Sequence, residues 1–378
     1  MKKLVIVTTV PLSLATLIKG QPKYLSKYFN TTLITSNGEL IERVKESEGV
    51  RVITIDMSRK ITPIADLKSL IKLFTTFKKI EPNIVYSFTP KAGLLAMIAS
   101  YFAGVKVRVH NIVGMPLMEA KGLKREILKL IERITYSFAT NLFCNSYGLR
   151  DYIKKNLTDR DIEIIYNGSI NGVDTDYFKD NFSKEEKRRI KAELGIKEDD
   201  FVLLFVGRVV RDKGIDELVE AFEVLTRRFK NLKLLIVGDF EEHLNPLKRE
   251  SIKILKSGRN IIQVGFQKDI RGYLAVSDVF ILPSYREGLP NSLLEAGSFG
   301  LPLIASNING CNEIVIDGEN GLLVEPKSVD DIIKKITTLV ENRELYNKLK
   351  LNIRDSIIKR YNQENFLKSL KDRLERLS

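Results

Sequence analysis

Two segments of this chain place cations, carboxylates and turn-forming residues where a phosphorylated, hydroxyl-bearing ligand needs them. The first is Val206-Gly207-Arg208-Val209-Val210-Arg211-Asp212-Lys213-Gly214. It follows a β-like apolar run and precedes a helical pattern. Gly207 permits a tight turn, Arg208 and Lys213 supply two cations, and the helix opening near Ile215 adds partial positive charge at its amino end. These features suit a diphosphate, although the segment by itself reads equally well as a basic loop on a solvated turn. The second is Ser284-Tyr285-Arg286-Glu287-Gly288-Leu289-Pro290-Asn291-Ser292-Leu293-Leu294-Glu295-Ala296. Gly288, Pro290 and Asn291 belong to a tight loop feeding a helix, and the backbone across Gly288–Ser292 can hold phosphate oxygens. Glu295 stands in an otherwise apolar helix with Leu293, Leu294, Ala296 and Phe299, a costly position unless it has a partner such as sugar hydroxyls. The plain alternative is a surface Glu287 and a helix-terminal charge at Glu295. The complementarity of the segments, cations in one and hydroxyl acceptors in the other, favours binding.

The surrounding pattern says what must position them. Leu4–Thr8, Thr31–Thr35, Arg51–Ile55, Asn83–Ser87, Lys106–Val109, Asn141–Cys144 and Glu163–Tyr166 read as strands, with helical stretches at Ala65–Lys79, Ala92–Phe102 and Leu123–Phe138 between them. After a turn-rich passage over 167–183 the alternation restarts. Phe201–Val206, Lys233–Val237, Asn260–Val264, Val279–Leu282, Leu303–Ala305 and Leu322–Val324 are the second set of strands. Such alternation predicts α/β architecture: two doubly wound parallel sheets facing a cleft. Ligands then lie outside the carboxyl ends of the strands, where both segments fall.

Composition narrows the function. With 378 residues, 44% of them hydrophobic, the chain can bury two cores. Its only cysteines, Cys144 and Cys311, lie far apart, which excludes a disulfide scaffold and a cysteine-rich zinc site. Two histidines, His110 and His243, exclude a His-rich metal centre, and His243 reads as a surface residue of a polar helix. No GxGxxG follows the first strand, which disfavours a dehydrogenase. The net charge of +13 is uneven: 27 Lys and Arg against 17 Asp and Glu over residues 1–180, and 34 against 31 thereafter. A basic half suits nucleic acid, an anionic membrane or an acidic substrate. No zinc spacing or aromatic RNA-binding motif supports nucleic acid. No signal peptide or membrane-spanning stretch is visible, which predicts a cytoplasmic location.

The motifs together resemble retaining family-4 glycosyltransferases of GT-B fold. Gly207-Arg208 with Lys213-Gly214, and Glu287 and Glu295 separated by seven residues, carry the likeness. It continues through Ala275–Ser284, Gly300–Ser306, Asn309-Gly310-Cys311-Asn312-Glu313 and the junction Asn171–Phe178. The resemblance implies a Rossmann-like acceptor domain over 1–170, a nucleotide-sugar domain over 171–360, and a C-terminal helix over 361–378 crossing back to the first. Arg208 and Lys213 would bind the donor diphosphate and stabilise the leaving group. Glu295 would accept from the ribose, Glu287 would face the transferred sugar, and Gly265, Phe266 and Lys268 would lie beside the base. The implied donor is a nucleotide sugar, UDP-linked, with no metal or other cofactor. Asp174-Thr175-Asp176 matches a metal-binding DxD in form, but it sits in the turn-rich junction and reads as a turn.

In the first half, Pro90–Leu95 and Arg108–Pro116 resemble bacterial enzymes that extend lipid-linked glycans for capsule, O-antigen or glycoprotein assembly. This implies an acceptor site that includes Ser13, Lys91 and Gly114. His110, read as ending a strand, would lie beside the donor sugar and acceptor; the plain alternative is a satisfied core histidine. The first loop, Thr8-Thr9-Val10-Pro11-Leu12-Ser13-Leu14, lacks the Gly-Gly usual in the family, leaving Thr9 or Ser13 as substitutes. Leu67–Lys79 and Leu123–Arg133 are basic and amphipathic, which with a lipid-linked acceptor predicts peripheral binding to the inner face of the cell membrane. A GT-B 2-epimerase is the alternative enzyme, disfavoured because such enzymes need further catalytic carboxylates and histidines.

Overall fold

The computed structural model describes residues 1–58, 60, 62–118, 120–241, 245–258 and 260–378. The chain divides into two units. One comprises Met1–Gly172 with Gln363–Ser378, the other Val173–Asn362.

Among the described residues the first unit holds seven strands: β1 (Lys3–Val7), β2 (Asn30–Thr35), β3 (Arg51–Thr54), β4 (Ile84–Phe88), β5 (Val107–Ile112), β6 (Asn141–Cys144) and β7 (Ile162–Ile164). They form one parallel sheet in the order β3-β2-β1-β4-β5-β6-β7. Central strands such as β4, Ile84-Val85-Tyr86-Ser87-Phe88, are buried along their whole length because helices cover both faces. Alternate side chains therefore enter two cores. Val5, Val7 and Val85 pack with Leu73, Phe77, Ala96 and Met97. Leu4, Ile6 and Tyr86 pack with Phe366, Leu367, Leu370 and Leu374 of the final helix, Gln363–Leu377. Arg373 of that helix forks onto Glu163, at 2.6 Å to Oε2 and 2.5 Å to Oε1.

The second unit holds β8 (Phe201–Val206), β9 (Leu232–Val237), β10 (Ile261–Gln263), β11 (Val279–Leu282), β12 (Leu303–Ser306) and β13 (Gly321–Val324). These too are parallel, in the order β10-β9-β8-β11-β12-β13. The sheet reverses direction of growth between β8 and β11, so the loops following those strands diverge and leave room for a ligand at the carboxyl edge.

Every expected strand is present, with ends shifted by a few residues. The largest shift is in β5, expected to stop at Val109. It continues to Ile112, pairing with β4 through Asn111 and with β6 through Ile112. Two of its polar side chains find partners on β4. Ser87 Oγ lies 2.9 Å from His110 Nδ1, and Asn111 Nδ2 donates to Tyr86 Oη at 2.8 Å. His110 therefore lies within the strand and does not end it. His243 lies outside the described residues.

Candidate active site

At the carboxyl edge of the second sheet, backbone bonds stitch successive loops together. Gly207 N donates to Val237 O at 2.9 Å, Val209 N to Asp239 O at 2.8 Å, and Gly238 N to Gly265 O at 2.8 Å. The turn Arg211–Lys213 then presses against the loop after β11. Gly214 makes this possible: its φ is +70°, and a Cβ there would stand 2.0 Å from Pro283 O. Tyr285 N donates to Asp212 O at 2.9 Å across the same junction. On the other side, Gly310 (φ +78°) passes so close to the loop that a Cβ would lie 1.8 Å from Gly288 O. Asn309 Nδ2 donates to Glu287 O at 3.4 Å. The loops after β8, β11 and β12 are thus one docked cluster, with the amino end of helix Asn291–Phe299 within it.

The charges follow from this docking. Lys213 Nζ meets Glu287 Oε1 at 2.5 Å, with both side chains largely buried. Arg208, half exposed, donates from Nη1 to Glu241 Oε2 at 3.0 Å and stands 4.0 Å from Asp212 Oδ2. Arg286 Nη2 donates to the same Asp212 oxygen at 3.0 Å. Asp212 is buried, and its Oδ1 has no hydrogen-bond partner. Cys311 is buried beneath the cluster, and burial pushes its thiol well up, with the Glu287 carboxylate adding to the effect and Lys213 opposing it. Glu295 is partly buried on the helix between buried Leu294 and Ala296. After β10, Phe266 N donates to Asp239 Oδ1 at 2.9 Å, the Phe266 ring is exposed, and Lys268 is exposed. The edge therefore gathers Gly207, Arg208, Lys213, Gly265, Phe266, Glu287 and the Gly288–Ser292 loop.

The residues singled out in the first unit have local partners. Thr9 Oγ1 lies 2.7 Å from Thr89 Oγ1 and accepts from Ala92 N at 3.2 Å. Ser13 is buried in the short helix Pro11–Thr16. Lys91 is ion-paired to Asp66, whose carboxylate also accepts from Thr62 N at 3.2 Å and Thr62 Oγ1 at 3.0 Å. Gly114 follows β5 in an open turn. His110 is buried, and burial pushes its imidazole down to about 4, the bond to Ser87 opposing. The ring packs on Gly93, where a Cβ would come within 2.3 Å of His110 Cε1. This is the geometry of a neutral, satisfied core histidine. Asp174 Oδ1 accepts from Asp176 N at 3.2 Å and Tyr177 N at 2.9 Å, so the DxD carboxylate closes a turn. Among the described residues no group of three His, Cys, Asp or Glu gathers as a metal site.

Residues 186–356 match the family described as glycosyl transferases group 1, and residues 15–146 match the glycosyl transferase 4-like family. The chain is 31% identical over 351 residues to the capsular polysaccharide biosynthesis glycosyltransferase CapM of Staphylococcus aureus, covering 92% of this chain and 90% of that one. The chain belongs to this glycosyltransferase family. It is also 32% identical, over 92% of its own length and 89% of the relative's, to the UDP-Gal:alpha-D-GlcNAc-diphosphoundecaprenol alpha-1,3-galactosyltransferase of Escherichia coli. HepE of Anabaena, solved in complex with UDP and glucose, superposes with a TM-score of 0.81 at 18% identity, covering 99% of this chain and 100% of that one. The fold is GT-B, with two Rossmann-like units.

For a glycosyltransferase, the chemical capacity of the edge is plain. Loop cations and a helix amino end converge where negative charge can be held, and a carboxylate stands among them. Sequence reading assigned no role to Asp212, Arg286 or Glu241. Asp212 and Arg286 lie inside the quoted motifs, but only the docking of one loop on another reveals that they pair. Glu241 lies four residues beyond β9, and its one local signal is an acidic residue following a strand end.

Proposed function

We propose that this glycosyltransferase moves a hexose or N-acetylhexosamine from a UDP-sugar to a polyprenyl-diphosphate-linked glycan. It does so with retention and without a metal, in surface polysaccharide or glycoprotein-glycan assembly. The observation that carries this reading is the Lys213–Glu287 pair, which brings a cation and a carboxylate from two loops to one point beside the helix Asn291–Phe299. In the reaction the bond from the anomeric carbon to the UDP oxygen breaks, and the acceptor hydroxyl bonds to the same face of that carbon. The hydroxyl proton passes to the departing phosphate oxygen. Charge grows on the diphosphate as the bond breaks, so Arg208, Lys213 and the helix amino end lower the barrier by holding it. Glu287 orients the sugar, Glu295 takes the ribose hydroxyls, and the Gly265–Lys268 loop lies against the base. The name of one relative, which gives UDP-Gal as donor and a diphosphoundecaprenol-linked acceptor, supports this choice of substrates. The test is transfer of labelled sugar from UDP donors to a polyprenyl-diphosphate acceptor in the presence of a chelator. Transfer that Arg208→Ala and Glu287→Gln each reduce by at least about 100-fold is expected. Dependence on a divalent metal, or full activity in both variants, counts against it.

We also place the enzyme at the inner membrane face. Among the described residues no helix is long and apolar enough to cross a membrane. Helix Pro63–Ile80 instead carries two apolar faces. Leu73 and Phe77 point inward, while Ile64, Leu67 and Ile71 are exposed beside exposed Lys68 and Lys72. Helix Gly122–Phe138 exposes Leu123, Ile127 and Leu130 beside Lys121 and Lys124. Core packing leaves these outward stripes unexplained, and a surface that is both apolar and basic suits anionic lipid. Co-sedimentation with phosphatidylglycerol vesicles, weakened by salt and by Ile64→Asp with Leu67→Asp, is expected. Equal binding to neutral vesicles, or none, refutes it.

A further inference from the structure

Three cations of the loop cluster each face a carboxylate from another loop: Lys213 faces Glu287, Arg286 faces Asp212, and Arg208 faces Glu241. These carboxylates differ in how firmly they are embedded. The side chains of Asp212 and Glu287 are 8% and 11% exposed, while that of Glu241 is 33% exposed. Asp212 O also accepts from Tyr285 N at 2.9 Å and Glu287 O from Asn309 Nδ2 at 3.4 Å, both from neighbouring docked loops, whereas Glu241 sits on the connection after β9. That connection is pinned on both sides of Glu241. Val209 N donates to Asp239 O at 2.8 Å, Phe240 bridges to Val209, and Arg211 N donates to Asn245 O at 3.1 Å. Glu241 is therefore kept within reach of Arg208 while its own carboxylate stays near water.

We infer that Glu241 is a tethered stand-in for the donor's diphosphate, holding the Arg208 guanidinium in the free enzyme and competing with the nucleotide for it. This rests on the donor-site reading above. The physical basis is that a guanidinium presents its N–H groups to carboxylate and phosphate oxygens in the same geometry. A diphosphate brings more charge and more oxygens, so it displaces the carboxylate. Glu241, one third exposed, is then resolvated at little cost. Because partly exposed ion pairs are weak, the competition is modest, and its effect falls on both donor binding and release of the nucleoside diphosphate product. Glu241 thereby sets donor affinity, without touching the sugar.

The experiment is calorimetric titration of the full chain with UDP, comparing wild type with Glu241→Gln, Arg208→Ala, the double variant, and Glu223→Gln. Glu223 is an exposed residue of helix Ile215–Arg228 and controls for net charge. Glu241→Gln is expected to bind UDP about two- to five-fold more tightly, with product inhibition by UDP strengthened equally. Glu223→Gln should give less, and the Glu241 effect should vanish when Arg208 is already Ala. Unchanged affinity in Glu241→Gln overturns the inference. Weaker affinity does so too, because it makes Glu241 a residue that aims Arg208 at the phosphate. If UDP binds wild type and Arg208→Ala weakens it, either result removes this inference alone. If wild type binds neither UDP nor GDP, the donor-site reading falls and this inference with it.

Discussion

Substituting Gly310 by alanine tests whether the active-site loops depend on backbone contact between segments far apart in sequence. Gly310 and Gly300 both have positive φ, +78° and +96°. Alanine in either conformation costs about 1–2 kcal/mol from the backbone alone. Their surroundings differ. A Cβ at Gly300 meets nothing within 4 Å, while one at Gly310 lies 1.8 Å from Gly288 O and 2.6 Å from Gly288 C. Restoring an ordinary 3.4 Å contact requires the two loops to part by about 1.6 Å. Overpacking of this kind adds about 1–3 kcal/mol, so Gly310→Ala should lose about 2–5 kcal/mol in all. Gly288 adjoins Glu287, so the movement also displaces the Lys213–Glu287 pair. A misplacement of about 1 Å can cost a reaction about 100-fold. Scanning calorimetry should show the second unit's transition lower in Gly310→Ala than in Gly300→Ala. Sugar transfer well below either melting temperature should be near wild type in Gly300→Ala and down about 100-fold in Gly310→Ala. Matching stability and activity in the two variants refutes the argument that this contact shapes the site.

Buried titratable groups give three further expectations. Burial raises the Glu132 carboxyl to about 7, with Tyr136 opposing, so between pH 4.5 and 7 the folded state holds a proton that the unfolded chain releases. The stability present below 4.5 is therefore lost as pH rises through 7, and Glu132→Gln should exceed wild type by about 3 kcal/mol at about pH 8 and match it near pH 4.5, as read by urea unfolding. A gap independent of pH contradicts this. For His110, held at about 4 against an unfolded value of 6.5, the sign is opposite: stability falls as pH drops from 6.5 to 4, and the ring's NMR resonances should not shift across neutral pH. A shift centred near 6.5 shows an exposed imidazole. Cys144 and Cys311 are both buried, so Ellman's reagent should find no reactive thiol in the native protein and two in denaturant. Rapid native labelling of either thiol disproves their burial.

Much of the fold was legible in the sequence because parallel strands buried on both faces appear as short runs of Val, Ile, Leu and aromatics broken by helices. Phe201–Val206, Asn141–Cys144 and Val279–Leu282 were readable to the residue for this reason. β5 was read too short, because His110 and Asn111 are polar and their hydroxyl partners Ser87 and Tyr86 lie on the neighbouring strand. Helix Pro63–Ile80 showed its lysines and leucines locally, but not that two of its faces are apolar, since that depends on where the sheet lies.

The chain by itself determined that Gly207, Arg208, Lys213 and Glu287 lie in loops after strands and that Glu295 stands in the helix that follows, because local pattern fixes element boundaries. Parallel winding then carries those boundaries to one sheet edge. The tertiary structure alone decided which charges meet. Lys213 and Glu287 are 74 residues apart, and Arg208 and Glu241 are 33 apart. They pair because β8 lies between β9 and β11, an order set by crossover connections and invisible to local spacing. Close backbone passage at Gly214 and Gly310 completes the arrangement, since a glycine's missing side chain matters only once the opposing carbonyl is in place.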